Sequence, residues 1–592
     1  MKHHPAWIVA AALMIGGVAG FSNSARAEEP PASEVLPAEL AQWNEGLRQA
    51  GASPAEVSNF KELLRLQSPL GLNAMRERVQ MPQFFVKYLR GVRQQEGQQR
   101  IPKAIFQDST PIRSCESLLN VAIPNTKVDS TTIDPLDGSC RVTASVTHQP
   151  AADRVRVFVA LPQNSWNGRF RGTGGGGFWG GTEMSLRDPV SKGYVTAATD
   201  TGHQGGSGSF ALNANGRLNW QDIRNNAYLG IHDMTLVGKA LTLAFYGKAP
   251  RYSYFVGTST AGRQGLMEAQ RFPEDYDGII SGCPAVSWPR MIPAAFWPQE
   301  IMHKAGNYLP KAKLERVTAA AISACDGLDG VVDGVIGDPS RCTYDPKALV
   351  GTRIEESTFT EVDANLVRKI WEGPRTHDGK FLWYGLARGA DLSAIAGTGG
   401  VPPIGKPIDV ALEYLQYFLV QDPRWDWTSI TSGEYELLFN QSVEEFGAVI
   451  GSDDPDLTLF RDHGGKLILY HGLADQLIPA QGTVDYYRQV QQKMGGAQAT
   501  MQFARLFLVP GVDHGFIGAG PSPTGLMDAI VSWVEDGKAS ERVIAELPDD
   551  NGEIIRTRPL FPYPQIAVYK GTGSTDEAAN FISHTPTQTG KP

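Results

Sequence analysis

Apolar and polar positions change rhythm several times along the chain. Across residues 37–100 the apolar positions fall at helical spacing, as in Leu40, Trp43 and Leu47, then Val57, Phe60, Leu63 and Leu64. From Ser114 onward the spacing shortens to two. Residues 141–147 and 155–161 alternate and predict antiparallel strands. Short apolar runs then take turns with amphipathic segments. Residues 193–200, 254–256 and 277–282 read as strands, and 233–246 reads as a helix with Met234, Val237, Leu241 and Ala244 on one face. A further helix is expected to begin at Gly265.

Residues 290–445 lose this alternation and are rich in Pro, Gly and Trp, which predicts an inserted lid. The alternation resumes with a strand at 466–470, a helix at 481–493, a strand at 501–509 and a helix at 526–533, followed by an extended tail at 556–569. Strand–helix–strand order of this kind builds a parallel sheet covered on both faces. The predicted organisation is an α/β fold: residues 1–27 an export signal, 28–110 a leader and small helical region, 111–289 and 446–592 the two parts of one core, and 290–445 the lid.

Length and charge narrow the function. The 592 residues carry a net charge of −9 with no Lys/Arg block, which excludes a nucleic-acid binder. The N-terminus has a basic start, an apolar run too short to span a bilayer, and Ala25-Arg-Ala27 as a cleavage site. The mature chain is therefore expected to start near Glu28 and to be exported, periplasmic or secreted, with no membrane span. Of the five cysteines, Cys115–Cys140 and Cys325–Cys342 are the natural local pairs, and Cys283 is expected to be a buried, inert thiol.

Chemistry concentrates at three strand ends. Gly257-Thr-Ser259-Thr-Ala261 lies between an apolar strand and a helix, where a serine is presented on a strained turn. This is the nucleophile elbow of an α/β-hydrolase fold, with Ala261 at its usual last glycine. Asp475 follows the strand at 466–470 and His514 follows the strand at 501–509. The order Ser, Asp, His is that of α/β-hydrolases. His514 is then the general base, Asp475 its orienting acid, and the backbone N–H of Thr260 one oxyanion donor, with the second from Gly176 or Gly177 in the glycine tract 174–177. The tract also has a weak likeness to a dinucleotide loop, but it lacks the full spacing and no organic cofactor is expected.

A second cluster, Asp326, Asp329 and Asp333 interleaved with glycines, suits either an acidic surface turn or an oxygen-ligated cation such as calcium.

These stretches, with 200–203, 259–270, 276–280, 383–385, 471–475 and 558–564, resemble the tannase and feruloyl esterase family, the family that also contains the mono(2-hydroxyethyl) terephthalate hydrolase. The resemblance implies a serine carboxylic ester hydrolase acting on small esters of feruloyl, galloyl or related aromatic acids. It also implies a structural calcium ion in the lid, held by Asp326, Asp329 and Asp333 with the carbonyls of Val331 and Val335. His471, Trp383 and Arg388 are candidate pocket residues, with Arg375 a second candidate for a substrate carboxylate. The family's usual cysteine pair beside the nucleophile and the base is replaced here by Thr258 and Gly515. The altered elbow leaves one alternative, a non-catalytic ligand-binding protein on a hydrolase scaffold.

Overall fold

The computed structural model describes residues 101–515, 518–549 and 552–586. The export signal, its cleavage at Ala27 and the helical region expected across 37–100 lie outside the described residues. The described chain falls into two compact units, Ile101–Tyr252 with Lys406–Glu413, and Ser253–Gly405 with the chain from Tyr414 onward.

The first unit is built on five strands: β1 (Thr126–Ile133), β2 (Cys140–Val146), β3 (Val155–Leu161), β4 (Arg169–Gly172) and β5 (Val195–Thr199), in the order β1-β2-β3-β5-β4. The pairs β1–β2, β2–β3 and β3–β5 are antiparallel and β4–β5 is parallel. The alternation seen in the sequence is weakest where the sheet is most enclosed. All five residues of β5 are buried, as are six of seven in β3.

Helix α1 (Gly230–Tyr246) packs on β5 and β3. It approaches closely because Gly238 has no side chain: a Cβ there would stand 2.5 Å from the Phe170 ring. Gly247 ends the helix in the left-handed conformation, at φ 68°. The Cys115–Cys140 bridge forms as expected and ties the segment before β1 to the start of β2. It closes a loop of 25 residues, worth about 3 kcal/mol on the chain-entropy account.

The second unit carries β6 (Tyr252–Thr258), α2 (Thr260–Arg271), β7 (Gly278–Gly282), α3 (Trp288–Ala305), α4 (Lys311–Cys325), α5 (Glu361–Glu372), α6 (Ser432–Ile450), β8 (Lys466–Gly472), α7 (Ala480–Lys493), β9 (Ala504–Val509) and α8 (Leu526–Asp536). Strands β6, β7, β8 and β9 lie side by side in that order, all parallel. Helices α2 and α8 pack on β7, and α7 packs on β8. The carboxyl ends of the four parallel strands therefore share one edge, the edge where sites of such sheets collect.

Helix α2 starts at Thr260, five residues before the expected start at Gly265. Gly262 and Gly265 are poor helix formers, but they are the residues that fit there. A Cβ at 262 would stand 2.5 Å from the Gly282 carbonyl oxygen, and one at 265 would stand 3.0 Å from the Phe255 ring.

Helices α3 to α6 come from the segment between β7 and β8. They are fastened by buried polar contacts, chiefly the Lys313–Asp363 ion pair at 2.6 Å. Asp363 also closes a capping box with Thr360 at the start of α5. The tail is not merely extended. It forms the antiparallel pair β10 (Val543–Pro548) and β11 (Ile554–Leu560). No helix of the described residues is long and apolar enough to cross a membrane.

One contact in the first unit sets a pH dependence. The Glu413 carboxylate accepts the Gly208 N–H at 2.6 Å. Burial pushes its carboxyl up to about 7, although the Gly208 amide opposes that shift. The native state thus binds a proton that the unfolded chain has released above about pH 4.3. Stability from this group is complete at low pH and is lost as pH rises through 7. Thermal melts should shift down between pH 5 and pH 8, and Glu413→Gln should flatten that slope. An unchanged slope in the variant removes Glu413 as its source.

Candidate active site

The turn after β6 holds Ser259 at φ 61° and ψ −123°, a conformation a non-glycine residue adopts only under constraint. The constraint comes from its neighbours. The Ser259 N–H donates to the Gly282 carbonyl at 2.9 Å, and its own carbonyl accepts from Arg263 at 3.0 Å. A Cβ on Gly257 would fall 2.6 Å from the Cβ of Ala261. Glycine at 257 therefore makes room for alanine at 261, and the altered elbow keeps its shape. This removes the observation that motivated a non-catalytic reading. Thr260, the first residue of α2, is fully buried, with its backbone N–H in the first turn of the helix.

Strand β8 delivers Asp475 and β9 delivers His514. The His514 Nδ1 lies 2.8 Å from Asp475 Oδ2. Asp475 Oδ1 accepts the N–H groups of Leu477 at 2.9 Å and Ile478 at 2.8 Å. Burial works against a charge on this carboxyl. The imidazoles of His514 and His471 outweigh it and hold the group well below the usual carboxylate range. Asp475 in turn favours the protonated form of His514 against the cost of burial. The His514 N–H donates to Gln476 Oε1 at 2.9 Å, which fixes the backbone of the base to the loop of the acid.

His471 stands elsewhere than a substrate pocket. It is fully buried. Its Nε2 faces the Ile478 carbonyl at 3.0 Å and Asp475 Oδ2 at 3.2 Å, while its Nδ1 meets the Thr483 hydroxyl at 2.8 Å. The ring supports the acid from behind.

Trp383 is also buried, its ring against Gly482 of α7. Arg388 donates Nε to the Tyr344 carbonyl at 3.0 Å and lies over the Trp371 ring at 4.8 Å. Arg375 donates to the Gly379 carbonyl within its own turn, at 3.1 Å. The two arginines are engaged within their own segment, and Trp383 packs on α7. A small cavity in the second unit is lined by Trp297, Ile370, Tyr384 and Ile395 together with Leu477 and Pro479 of the Asp475 loop.

Gly176 and Gly177 belong to the first unit. The Gly176 carbonyl accepts the Trp179 N–H at 2.9 Å and Gly177 has φ 56°. Any side chain at 175 would collide with the Trp179 carbonyl, 1.9 Å away, so the tract is a close backbone turn. The helix that follows, Arg187–Ser191, has five residues, too few to cradle a pyrophosphate.

The acidic cluster folds into a tight loop closed by the Cys325–Cys342 bridge. Asp326 accepts the N–H groups of Asp333 at 3.0 Å and Gly334 at 2.9 Å, and Asp329 accepts that of Val331 at 3.0 Å. Asp333 Oδ2 is taken by Arg558 at 2.6 Å. Burial raises the Asp329 carboxyl, and the charges of Asp333 and Asp326 add to that. A set of oxygen donors that repel one another suits a hard cation.

One residue of the site was not anticipated. Cys283 is buried and free, as expected, but it is not remote. It follows β7 at φ 29°, and its N–H donates to the Tyr470 carbonyl at 2.7 Å. Its sulfur touches the His514 side chain and the Ser259 backbone. The signal was available: Cys283 directly follows the strand beside β6, on the same edge as the other three residues.

Comparison with known proteins follows this geometry. Residues 140–584 match the model of a family described as tannase and feruloyl esterase. The chain is 39% identical over 77% of its length to a probable feruloyl esterase of Arthroderma benhamiae, covering 87% of that protein. It is 31% identical over 76% of its length to the mono(2-hydroxyethyl) terephthalate hydrolase of Piscinibacter sakaiensis, covering 85% of it. Among solved structures, the tannin acyl hydrolase from Aspergillus niger superposes with a TM-score of 0.71 at 25% identity, covering 79% of this chain and 94% of that one.

The buried partner of His471 is testable. Thr483→Val removes the hydroxyl on Nδ1 and leaves a buried ring nitrogen unsatisfied. Urea denaturation should show a loss of about 1–3 kcal/mol. A loss below about 0.5 kcal/mol means the ring finds another partner at no cost.

Proposed function

Because the chain belongs to the tannase and feruloyl esterase family and is a carboxylic ester hydrolase, we propose that it cleaves esters of aromatic acids through Ser259, His514 and Asp475. The observation that carries this reading is the buried contact between His514 Nδ1 and Asp475 Oδ2 at 2.8 Å, on the sheet edge that also presents Ser259.

A serine hydroxyl is a weak nucleophile at neutral pH, so its proton must leave as it attacks. His514, with Nδ1 engaged by Asp475, has Nε2 for that proton. The Ser259 oxygen bonds to the ester carbonyl carbon, and the carbonyl oxygen takes the negative charge. The Thr260 N–H supplies one donor to that oxyanion. The tetrahedral intermediate collapses, and the leaving alcohol receives the proton from His514. A water molecule, deprotonated by the same ring, then frees the acid and restores Ser259. Throughout, Asp475 stays ionised, because its two backbone donors and two imidazoles stabilise the charge.

The substrate class rests on the names of the relatives, feruloyl esters in one and a terephthalate monoester in another. The acidic loop would hold calcium through Asp326, Asp329 and Asp333 with the carbonyls of Val331 and Val335. A cation held there would offset the mutual repulsion of these carboxylates in a loop whose ends are joined by a disulfide. The N-terminal segment directs export, with cleavage after Ala27. N-terminal sequencing of the secreted protein checks the cleavage position.

Two experiments test the reading. The first is turnover of methyl ferulate, methyl gallate, chlorogenate and the hydroxyethyl terephthalate monoester. Ser259→Ala should abolish it, and Asp475→Asn should lower kcat by about 10⁴ through the wrong imidazole tautomer. Activity persisting in Ser259→Ala overturns the mechanism. The second is calcium removal with EGTA. It should lower the melting temperature, calcium should restore it, and Asp329→Asn should abolish the response. A melting temperature indifferent to chelation in the wild type rules out the ion.

A further inference from the structure

The thiol of Cys283 changes what the catalytic edge can bind. Its sulfur, a His514 ring nitrogen and an Asp475 carboxylate oxygen all lie within 4.8 Å of one another, and all three residues are buried. Each is a different class of ligand: a thiol, an imidazole and a carboxylate. Together they form the donor set of a borderline-soft divalent cation with one coordination position open. One of the three side chains and the backbones of the other two are held in place without the ion. Asp475 is fixed by the N–H groups of Leu477 and Ile478, and the His514 backbone by Gln476. Cys283 is fixed by its backbone, which donates to Tyr470 at the end of β8.

We propose that Cys283, His514 and Asp475 form an inhibitory binding site for zinc-like divalent cations, built into the catalytic edge.

Binding releases the Cys283 thiol proton and, from a protonated His514, the proton on the ring nitrogen that takes the metal. The S–H bond of Cys283 breaks, the sulfur bonds to the metal as thiolate, and the proton passes to solvent. An imidazole nitrogen of His514 and an oxygen of Asp475 supply two further bonds, and water completes the shell. Ligand atoms of a tetrahedral zinc ion stand about 3.5 Å apart, so the side chains need to shift by only about an ångström. Of the three, His514 keeps the most exposure, 9%, and the Cys283 thiol is fully buried.

Binding stops catalysis by a simple exclusion. The occupied His514 no longer has its lone pair and its link to Asp475 free together, so it cannot take the proton of Ser259.

This site is distinct from the acidic loop at 326–335. That loop offers only oxygen, which suits calcium, whereas sulfur and nitrogen select zinc, cadmium or cobalt. The elements that bring Cys283 here are those of the fold itself. Strand β7 pairs with β6 on one side and β8 on the other, its last residue Gly282 opposite Thr258 and Tyr470, so Cys283, the residue after it, lies between the nucleophile turn and β8.

The experiment uses the full-length, calcium-loaded enzyme with buffered free zinc, comparing wild type with Cys283→Ser and Cys283→Ala. Ester turnover in the wild type should fall with zinc and return on chelation followed by calcium. Inhibition should be at least tenfold weaker in both variants, each measured against its own zinc-free rate. Serine conserves volume, so it keeps the comparison valid if the alanine variant is unstable. Cobalt supplies a readout independent of turnover. The wild type should show a thiolate-to-cobalt charge-transfer band at one equivalent, absent from both variants. Equal inhibition in all three proteins, or a cobalt spectrum without that band in the wild type, would falsify the site. The cobalt band decides the matter even if no ester in the panel is cleaved.

Discussion

The structure of the site depends on one strained residue. Ser259 sits at φ 61°, and nothing intrinsic to serine keeps it there. The cost of such a backbone is of order 1–3 kcal/mol and must be met by surrounding contacts. Those contacts come from the parallel pairing of β6 with β7, in which Thr258 faces Gly282. The Gly282 carbonyl then receives the Ser259 N–H, and Gly257 and Gly262 allow the turn to close without a clash. The strain is local, and the register of two strands is what maintains it.

From that turn outward, the polar groups are satisfied in series. Asp475 is a fully buried carboxylate, which would be costly alone. It is surrounded by two backbone N–H groups and two imidazoles, and one of these, His471, has its remaining nitrogen on Thr483. This chain of contacts runs from the helix α7 to the base His514. It explains why a histidine four residues before the acid is buried rather than facing a substrate. It also explains why the acid stays charged in a dry setting, as an orienting group must.

How far the sequence could be read varied with the physics involved. Residues 155–161 coincide with β3, and the strands at 254–256 and 466–470 fall inside β6 and β8. Long apolar runs with turn residues at both ends leave few alternatives. The start of α2 was misplaced because its two glycines read as a turn, whereas tertiary contact is what requires them. β1 was missed because its residues are mostly polar: only Val128 is buried within it. Ser259, Asp475 and His514 were legible because each follows an apolar strand. The second-layer roles of His471 and Cys283 were not, because they depend on which strands are neighbours, and strand order is not written in local periodicity.

The replacement of the usual cysteine pair by Thr258 and Gly515 fits this picture. A disulfide between the nucleophile turn and the base loop would restrain two backbones that the sheet already restrains. Here the Leu473 N–H donates to Val509 at 2.8 Å and the Ala474 N–H to Val512 at 3.0 Å, joining the acid loop to the base loop. Gln476 adds a third link to His514 itself, and Gly282 anchors Ser259. Four hydrogen bonds net about 1 kcal/mol each, comparable in sum to one typical disulfide. The geometry of the edge is thus set by backbone pairing. The one cysteine that remains there, Cys283, is available as a ligand rather than consumed as a staple.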